Sequence, residues 1–320
     1  MIQYYIKEMG RLEALAEPKL GCWINLSPPF LGEELEEFAQ KYDIPLDFLT
    51  DPLDMDERAR YEREDDTRLI IINTPVLNEE QSDDEATYIT IPVGIILSPD
   101  AFVTISSSNN TVLELFLENK VKNFYPEDEG LFVLQILEQN VYRFLNCLKK
   151  LNLKRNLVEK ELYNSSKNED LKQLLSIQKS LIYFVNSLSA NELLKMKMKR
   201  NDFLHVRDFE EKIDLFEDLI IDNNQAMAMA NIYTNILSST METHSSIISN
   251  NLGMIMQRLS LITILISVPT LVASFFGMNV PLPFNNHPLA SLFIFIFSII
   301  VSVLLTWFFR RKRLLWVTSN

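Results

Sequence analysis

The spacing of apolar and polar positions divides the chain into two regions of different secondary structure. In the first 125 residues, short β-branched and aromatic runs predict strands at 3–6, 22–26, 68–73, 87–97 and 101–106. Between these runs, residues 32–42 and 46–55 have helical character. Pro75 and Pro92 fall within the strand runs and indicate strand edges or bulges. Residues 1–125 are therefore predicted to form a mixed α/β domain.

The second region contains neither glycine nor proline from residue 131 to residue 252. A β-rich domain needs those residues in its turns, so this region predicts long helices. We expect breaks near 164–166 and 201–202, a helical domain at 126–201, and a last helix that starts near Asp202. An apolar face with alternating spacings of 3 and 4 supports that helix, through Val206, Phe209, Ile213, Phe216 and Ile220. It would form a stalk over 202–253, continuous with an apolar segment and stabilised by neighbouring subunits.

Two apolar segments, 254–276 and 288–309, end the chain, and each is long enough to cross a bilayer, which needs roughly 20 residues. A basic tail at 310–320 begins with four consecutive basic residues, which places the C-terminus in the cytoplasm. Two spans then place residues 1–250 in the cytoplasm as well, and the loop 277–287 outside. The N-terminus shows no signal-peptide pattern. The sequence predicts a protein of the cell membrane with both termini inside.

The first apolar segment carries a line of small hydroxyl side chains at spacings of 4, 3 and 4, namely Thr263, Ser267, Thr270 and Ser274. Met256 and Leu259 extend this line toward the cytoplasm. One interpretation is helix–helix packing, because small hydroxyl residues let backbones approach closely. The other is a water-facing stripe in a pore built from several copies of the helix. The second segment has no such polar line beyond Ser291, Ser298, Ser302 and Thr306, so we expect it to face lipid.

Charge is distributed as unevenly as hydropathy. All 43 acidic residues precede residue 251, whereas the apolar C-terminal part holds five of the 30 basic ones. This acidity excludes nucleic acid as a partner and favours metal cations or basic proteins, although it also serves to keep a cytosolic domain soluble. Cys22 and Cys147 lie far apart, and with only three histidines no zinc framework is formed, so buried reduced thiols are expected.

The C-terminal region resembles the CorA family of magnesium channels. The resemblance is carried by Gly277-Met278-Asn279, by the preceding residues 269–276, by residues 249–252, and by two spans with a basic tail. It implies a funnel-shaped homopentamer in which five first spans line the pore and five Asn279 side chains ring its outer mouth. It also implies that Met256, Leu259 and Thr270 line the pore, with Met256 and Leu259 in an apolar gate.

The resemblance extends to regulation. Asp218 and Glu242 occupy stalk positions where relatives carry acidic residues, some of which sense magnesium between subunits. Asp222, one helical turn after Asp218, is a further candidate, although a solvated surface carboxylate is the alternative for each. The chain departs from the family pattern at Gly253, where relatives commonly have a pore-lining asparagine, and at Gln257, where a lysine is usual. The outer loop also lacks the acidic residue of many relatives.

The sequence therefore predicts a channel for potential-driven Mg²⁺ uptake, with Co²⁺ or Ni²⁺ as further ions and cytosolic Mg²⁺ as its regulator. A related carrier of zinc or another divalent ion is one alternative, and a non-conducting membrane scaffold is another. A pump is not expected, because no phosphate-binding loop is present. Neither a nucleophile–base pair nor a cofactor fingerprint indicates an enzyme, and no organic cofactor is expected.

Overall fold

The computed structural model describes residues 1–8, 10–19, 21–30, 32–78, 85–165, 168–278 and 289–311. Two compact units divide the chain, the first comprising Met1–Ser239 and the second residues 240–320. The strands are β1 (Ile2–Glu8), β2 (Arg11–Leu15), β3 (Trp23–Leu26), β4 (Arg60–Glu64), β5 (Thr67–Leu77), β6 (Tyr88–Ser98) and β7 (Ala101–Ser106). The helices are α1 (Gly32–Tyr42), α2 (Leu46–Thr50), α3 (Thr111–Leu117), α4 (Glu129–Ser165), α5 (Asn168–Asn201), α6 (Glu210–Phe276) and α7 (Ala290–Arg311).

The strands of the first unit form a seven-stranded sheet in the order β2-β1-β3-β7-β6-β5-β4. Strands β3 and β7 pair in parallel, and the other neighbours pair antiparallel. Side chains alternate between the two faces, so Leu69 and Ile71 belong to one core while Ile70 and Ile72 belong to the other. Both faces are covered by helices, which explains why the inner strands read as continuous apolar runs.

The two cores attach different helices to the sheet. Helices α1 and α2 contribute Leu35, Phe38 and Phe48 to one core. The other core combines Trp23 of β3 with side chains of α3, α4, α5 and the start of α6. The predicted α/β and helical parts therefore share one core. The α+β class and the long helices are confirmed.

The predicted breaks in the helical region agree with the structure, because α4 ends at Ser165 and α5 ends at Asn201. The predicted start of the last helix near Asp202 is wrong, since α6 begins at Glu210. Asp202 adopts a left-handed φ of 48°. The Phe203 amide donates to the Met198 carbonyl at 3.0 Å, and the Asp202 amide donates to Lys199 at 3.2 Å. This Schellman arrangement makes Asp202 the end of α5 rather than the N-cap of α6.

The corrected helix start changes the place of two residues in the predicted apolar face. Val206 and Phe209 lie in the turn before α6. Val206 is still buried, and its amide donates to the Asp202 carboxylate at 2.9 Å. The predicted helix 46–55 is also shorter, because α2 ends at Thr50 and a 3-10 turn follows over Asp51–Leu53.

Candidate ion pathway

The second unit contains the C-terminal part of α6 and α7. Among the described residues, only α6 is both long and apolar enough to cross a membrane, and none of its apolar window is buried. The apolar stretch of α7, Leu292–Phe308, is shorter. The apolar first span is thus a structural feature of the chain, whereas crossing by both helices remains a prediction.

One side of the apolar part of α6 is half-buried within the single chain. Its members recur at spacings of 3, 4 and 1, and they are Met254, Gln257, Leu261, Ile264, Leu265, Val268, Pro269 and Val272. At 100° per residue, this side is centred on the helix face opposite to the hydroxyl line. The hydroxyl line is therefore turned away from the packed face of its own chain.

The predicted pore-lining residues share one exposed stripe along α6, which we call the hydroxyl stripe: Met256, Leu259, Thr263, Ser267, Thr270 and Ser274. Met256 and Leu259 are 60% and 54% exposed, as are other large apolar side chains of this helix segment, such as Ile266 at 63%. Contact with other described residues of the chain therefore does not account for the small hydroxyl residues. In a membrane, a second copy, water or lipid would face them.

The hydroxyl groups of the stripe donate to their own helix. Thr263 Oγ1 donates to the Leu259 carbonyl at 2.9 Å, Ser267 Oγ to Thr263 at 2.7 Å, and Thr270 Oγ1 to Ile266 at 2.8 Å. A hydroxyl has one proton and two lone pairs, so each of these oxygens has spent its donor and keeps acceptor capacity. The stripe consequently presents hydrogen-bond acceptors to whatever occupies the space beside it.

The serines of α7 behave differently. Ser298 and Ser302 are only 2% and 5% exposed, and they donate to carbonyls of their own helix at 2.8 and 2.9 Å. They have the burial expected of small residues at a helix–helix contact. The two apolar helices thus carry hydroxyl residues in opposite roles, packed on α7 and exposed on α6.

The Gly-Met-Asn segment begins at the end of α6. The Gly277 amide continues the helical pattern by donating to the Ala273 carbonyl at 2.9 Å, and Met278 is 54% exposed. A Cβ at Gly277 would lie 3.2 Å from the Ala273 oxygen, so this position is crowded rather than conformationally unusual. Asn279, the predicted ion-entry residue, and most of the outer loop lie outside the described residues.

The predicted regulatory carboxylates lie on α6. Asp218 and Glu242 are exposed and Asp222 is half-buried. Burial, and after it the neighbouring Asp222 carboxylate, raises the pKa of Glu138 on α4. Burial also raises the pKa of Tyr142, with smaller contributions from Glu138, Asp222 and Asp218. Asp218 and Asp222 thus share one field with Glu138, but no group of three or more metal-ligating side chains occurs among the described residues.

Other predictions from composition can be checked directly. Cys22 and Cys147 are free and buried, as expected. Asp51, in the 3-10 turn after α2, accepts a hydrogen bond from Arg60 at 2.6 Å. Sequence reasoning missed Lys195, a fully buried lysine on α5. The sequence feature that could have revealed it is a lysine placed between Leu194 and Met198, two apolar residues that share one face of the helix.

An α+β unit is thus followed by a long helix whose exposed C-terminal segment is apolar and long enough to cross a membrane. The sequence profile described as CorA-like Mg²⁺ transporter protein matches residues 19–311, and the chain belongs to this family. The family consists of transporters, which agrees with the prediction that the chain is not an enzyme.

Individual relatives match over nearly the whole chain. The cobalt/magnesium transport protein CorA of Methanocaldococcus jannaschii is 26% identical over 313 residues, which cover 93% of this chain and 96% of that protein. The complete structure of the CorA magnesium transporter from the same organism has a TM-score of 0.79 at 24% identity, covering 97% and 98% of the two chains. The ZntB cytoplasmic domain from Vibrio parahaemolyticus has a TM-score of 0.59 at 11% identity, covering 78% of this chain and 98% of that one.

Proposed function

We propose that the protein mediates potential-driven uptake of Mg²⁺ across the cell membrane, with Co²⁺ and Ni²⁺ as further transported ions. The family of the chain and the cobalt/magnesium transport of its archaeal relative support a divalent cation as cargo. The observation that carries the proposal is the exposed hydroxyl stripe, whose oxygens retain acceptor capacity. Water molecules bound to a cation point their protons outward, so a surface of acceptors suits a hydrated ion.

The pathway itself would form between copies of the chain. We propose a homopentamer in which five hydroxyl stripes surround a water-filled pore and five Asn279 side chains ring its outer mouth. Met256 and Leu259 would form the apolar constriction at the inner end, since hydrophobic constrictions gate by excluding water. Residues 254–276 and 288–309 would both cross the bilayer, with the two termini in the cytoplasm.

Neutral oxygen ligands fit the chemistry of Mg²⁺. The ion requires octahedral geometry at about 2.0–2.1 Å and loses its water reluctantly, so a conducting site must tolerate the hydrated ion. Amide and hydroxyl oxygens accept hydrogen bonds from that water without binding so tightly that release fails. An inside-negative potential of about 100 mV supplies about 4.6 kcal/mol for two charges, so ATP is not needed.

Regulation would come from acidic residues on α6. We propose that Asp218, Asp222 and Glu242 take part in weak sites for cytosolic Mg²⁺ that hold the pore shut when the ion is abundant. The single chain does not bring three metal-ligating side chains together among its described residues. A complete site would therefore need carboxylates from a neighbouring copy.

Two alternatives make different predictions. A zinc carrier is supported only by the shared fold of the ZntB domain, and the hydroxyl stripe contains no cysteine or histidine, the ligands that zinc commonly uses. A non-conducting scaffold has no need for an exposed polar line in an apolar helix. Competition between Mg²⁺ and Zn²⁺ for uptake distinguishes the first alternative, and absence of any uptake would favour the second.

The direct test is Mg²⁺ uptake by liposomes that contain the purified protein, with the membrane potential set by a potassium gradient. Asn279→Ala should lower uptake strongly, because it removes the amide ring at the entrance. Asn285→Ala, in the same loop but outside the Gly-Met-Asn segment, is the matched control and should retain uptake. Equal uptake by wild type and Asn279→Ala would reject the proposed entry ring.

A further inference from the structure

Lys195 on α5 is fully buried at the contact between α5 and α6, with 0% of its surface exposed. Its ammonium donates to Asn223 Oδ1 of α6 at 2.7 Å. Asn223 is also fully buried, and its Nδ2 donates to the Leu188 carbonyl of α5 at 3.0 Å. One lysine and one amide thus link the two helices through two hydrogen bonds.

The environment offers little compensation for a charge. Apolar side chains within about two helical turns of Lys195 or Asn223 along α5 and α6 are almost completely buried, namely Leu194, Met198, Phe216, Leu219 and Ala226. No carboxylate lies within ion-pair distance of Lys195 among the described salt bridges. A lysine with a neutral acceptor in such surroundings is costly when it is charged.

Two carboxylates act on Lys195 from a distance, Glu192 on its own helix and Asp222 on α6. Asp222 in turn interacts with Glu138 and Tyr142 on α4. Among the described residues, Glu192 and Asp222 are thus the charged groups that act on Lys195 directly. Burial outweighs the attraction of the two carboxylates and lowers the pKa of Lys195 to about 7.

The pKa of Lys195 differs between the closed and the opened contact of α5 with α6, and this difference makes the contact depend on pH. In an opened contact the lysine regains water and an ordinary pKa near 10.5, so it binds a proton throughout the neutral range. In the closed contact it releases that proton above about pH 7. Below pH 7 the closed contact bears the full cost of burying a charged lysine. Well above pH 7, and up to about pH 10.5, the equilibrium constant for closing the contact rises about tenfold for each pH unit.

We propose that the Lys195–Asn223 contact is a proton-sensitive link through which pH on the side of the soluble unit acts on α6. Helix α6 continues without interruption from Asn223 to Phe276, and so includes the hydroxyl stripe. Acidification loosens the attachment of α6 to α5, and alkalinity tightens it. The effect on ion flow rests on the transport function proposed above, whereas the effect on helix attachment does not.

Hydrogen exchange of the full-length protein in lipid nanodiscs tests the link itself. After correction for intrinsic rates, amides of α5 and α6 around residues 188–226 should be protected about fivefold more at pH 8 than at pH 7 in the wild type. Lys195→Met should abolish this dependence. Lys197→Met, which changes an exposed lysine two residues away, should leave it intact.

Asn223→Asp provides a second variant if Lys195→Met does not fold. A carboxylate facing Lys195 raises the pKa of the ammonium, so the onset of protection should move to higher pH. Identical pH profiles for wild type, Lys195→Met and Asn223→Asp would overturn the proposal. So would a profile in which Lys197→Met loses the dependence together with Lys195→Met.

Mg²⁺ uptake by liposomes, with pH varied only on the side of the soluble unit, tests the consequence for transport. Wild type and Lys197→Met should show a change in uptake between pH 6 and pH 8 that Lys195→Met lacks. If all three transport Mg²⁺ with the same pH profile, the regulatory role fails and the transport function stands. If none transports Mg²⁺, the transport function fails, and hydrogen exchange still decides whether the link exists.

Discussion

Gly94 is the most crowded backbone position among the described glycines. It lies in β6, and a Cβ built there would be 2.5 Å from Pro52 Cγ and 2.8 Å from Ile105 Cγ2. Pro52 belongs to the 3-10 turn that follows α2, and Ile105 is in β7. Absence of a side chain at this position therefore allows the α2 region to lie against the sheet.

We expect Gly94→Ala to destabilise the first unit by about 1–3 kcal/mol, because neither the proline ring nor the buried isoleucine has room to move. Denaturant unfolding of the full chain in detergent, followed by tryptophan fluorescence, measures this loss. Gly32→Ala is the control, since nothing lies within 4 Å of a Cβ there. Equal stability of the two variants would contradict the packing described for Gly94.

Residues with a left-handed backbone conformation explain why helix ends are difficult to predict from this sequence. Asp43, Asn119 and Asp202 all have left-handed φ values and end helices where glycine is more common. Asp and Asn serve equally well as N-caps, so Asp202 was assigned to the wrong helix. Lys195 was missed for a related reason. A charged residue in a helical pattern is usually solvated, and only the packed neighbours of this one show that it is buried.

At the scale of elements, β5 extends beyond its outer neighbour. The last residue that β4 pairs with is Ile71, so Asn73 and Pro75 lie on an open edge although β5 is an inner strand. Pro92 of β6 similarly lies one residue beyond the last pair with β7. The interpretation of the two prolines as edge residues is thus correct locally, where each strand outruns its neighbour.

Helices cover the open edge with side-chain amides. Asn191 of α5 accepts from the Asn73 amide at 3.0 Å and donates to the Asn73 carbonyl at 2.8 Å, while Asn140 of α4 donates to the same carbonyl at 3.0 Å. We expect Asn191→Leu to destabilise the first unit by about 1–3 kcal/mol, because the Asn73 amide loses its partner. Chemical denaturation measures the change.

Gln173→Leu is the matched control for that experiment, because it makes a polar-to-leucine change at an exposed position of α5. Its stability should remain close to that of the wild type. A loss for Asn191→Leu no larger than that of Gln173→Leu would show that the amide contacts contribute nothing to the docking of α5.

The sequence analysis did not predict β2 and β4, the two strands at the edges of the sheet. The sequence of β2 is Arg-Leu-Glu-Ala-Leu and that of β4 is Arg-Tyr-Glu-Arg-Glu, and both are largely exposed. Charged edge strands avoid pairing with other chains, but they lack the apolar alternation by which strands are recognised. Inner strands such as β6, buried on both faces, were predicted almost to the residue.

At the scale of the whole molecule, contacts between copies of the chain would determine the features that one chain does not explain. Within the described residues, the hydroxyl stripe is exposed, and Asp218 and Glu242 of α6 are exposed as well. Periodicity predicted the stripe, because a helix fixes which residues share a face. Neither the proposed regulatory site nor the proposed ring at Asn279 can be derived in this way, since both would depend on contacts between copies.

The proposed regulation predicts a change in Mg²⁺ sensitivity. Asp218→Asn should raise the Mg²⁺ concentration needed for half-inhibition of uptake several-fold, because the site loses an anionic ligand. Asp214→Asn is the control, one helical turn earlier and also exposed. Patch-clamp or liposome flux at varied Mg²⁺ on the side of the soluble unit measures the inhibition. An unchanged concentration for Asp218→Asn would remove this residue from the mechanism.

Water access to the hydroxyl stripe in lipid decides whether this face of α6 lines a pore. Single cysteines are introduced at Ser267, on the stripe, and at Leu265, on the half-buried side, and are exposed to a charged thiol reagent that does not enter membranes. The native Cys22 and Cys147 are buried and should react little. If the hydroxyl stripe lines a pore, Ser267→Cys should be modified and Mg²⁺ uptake should then be blocked, whereas Leu265→Cys should stay unmodified. Protection of Ser267→Cys, with modification of Leu265→Cys, would contradict a pore lined by this helix face.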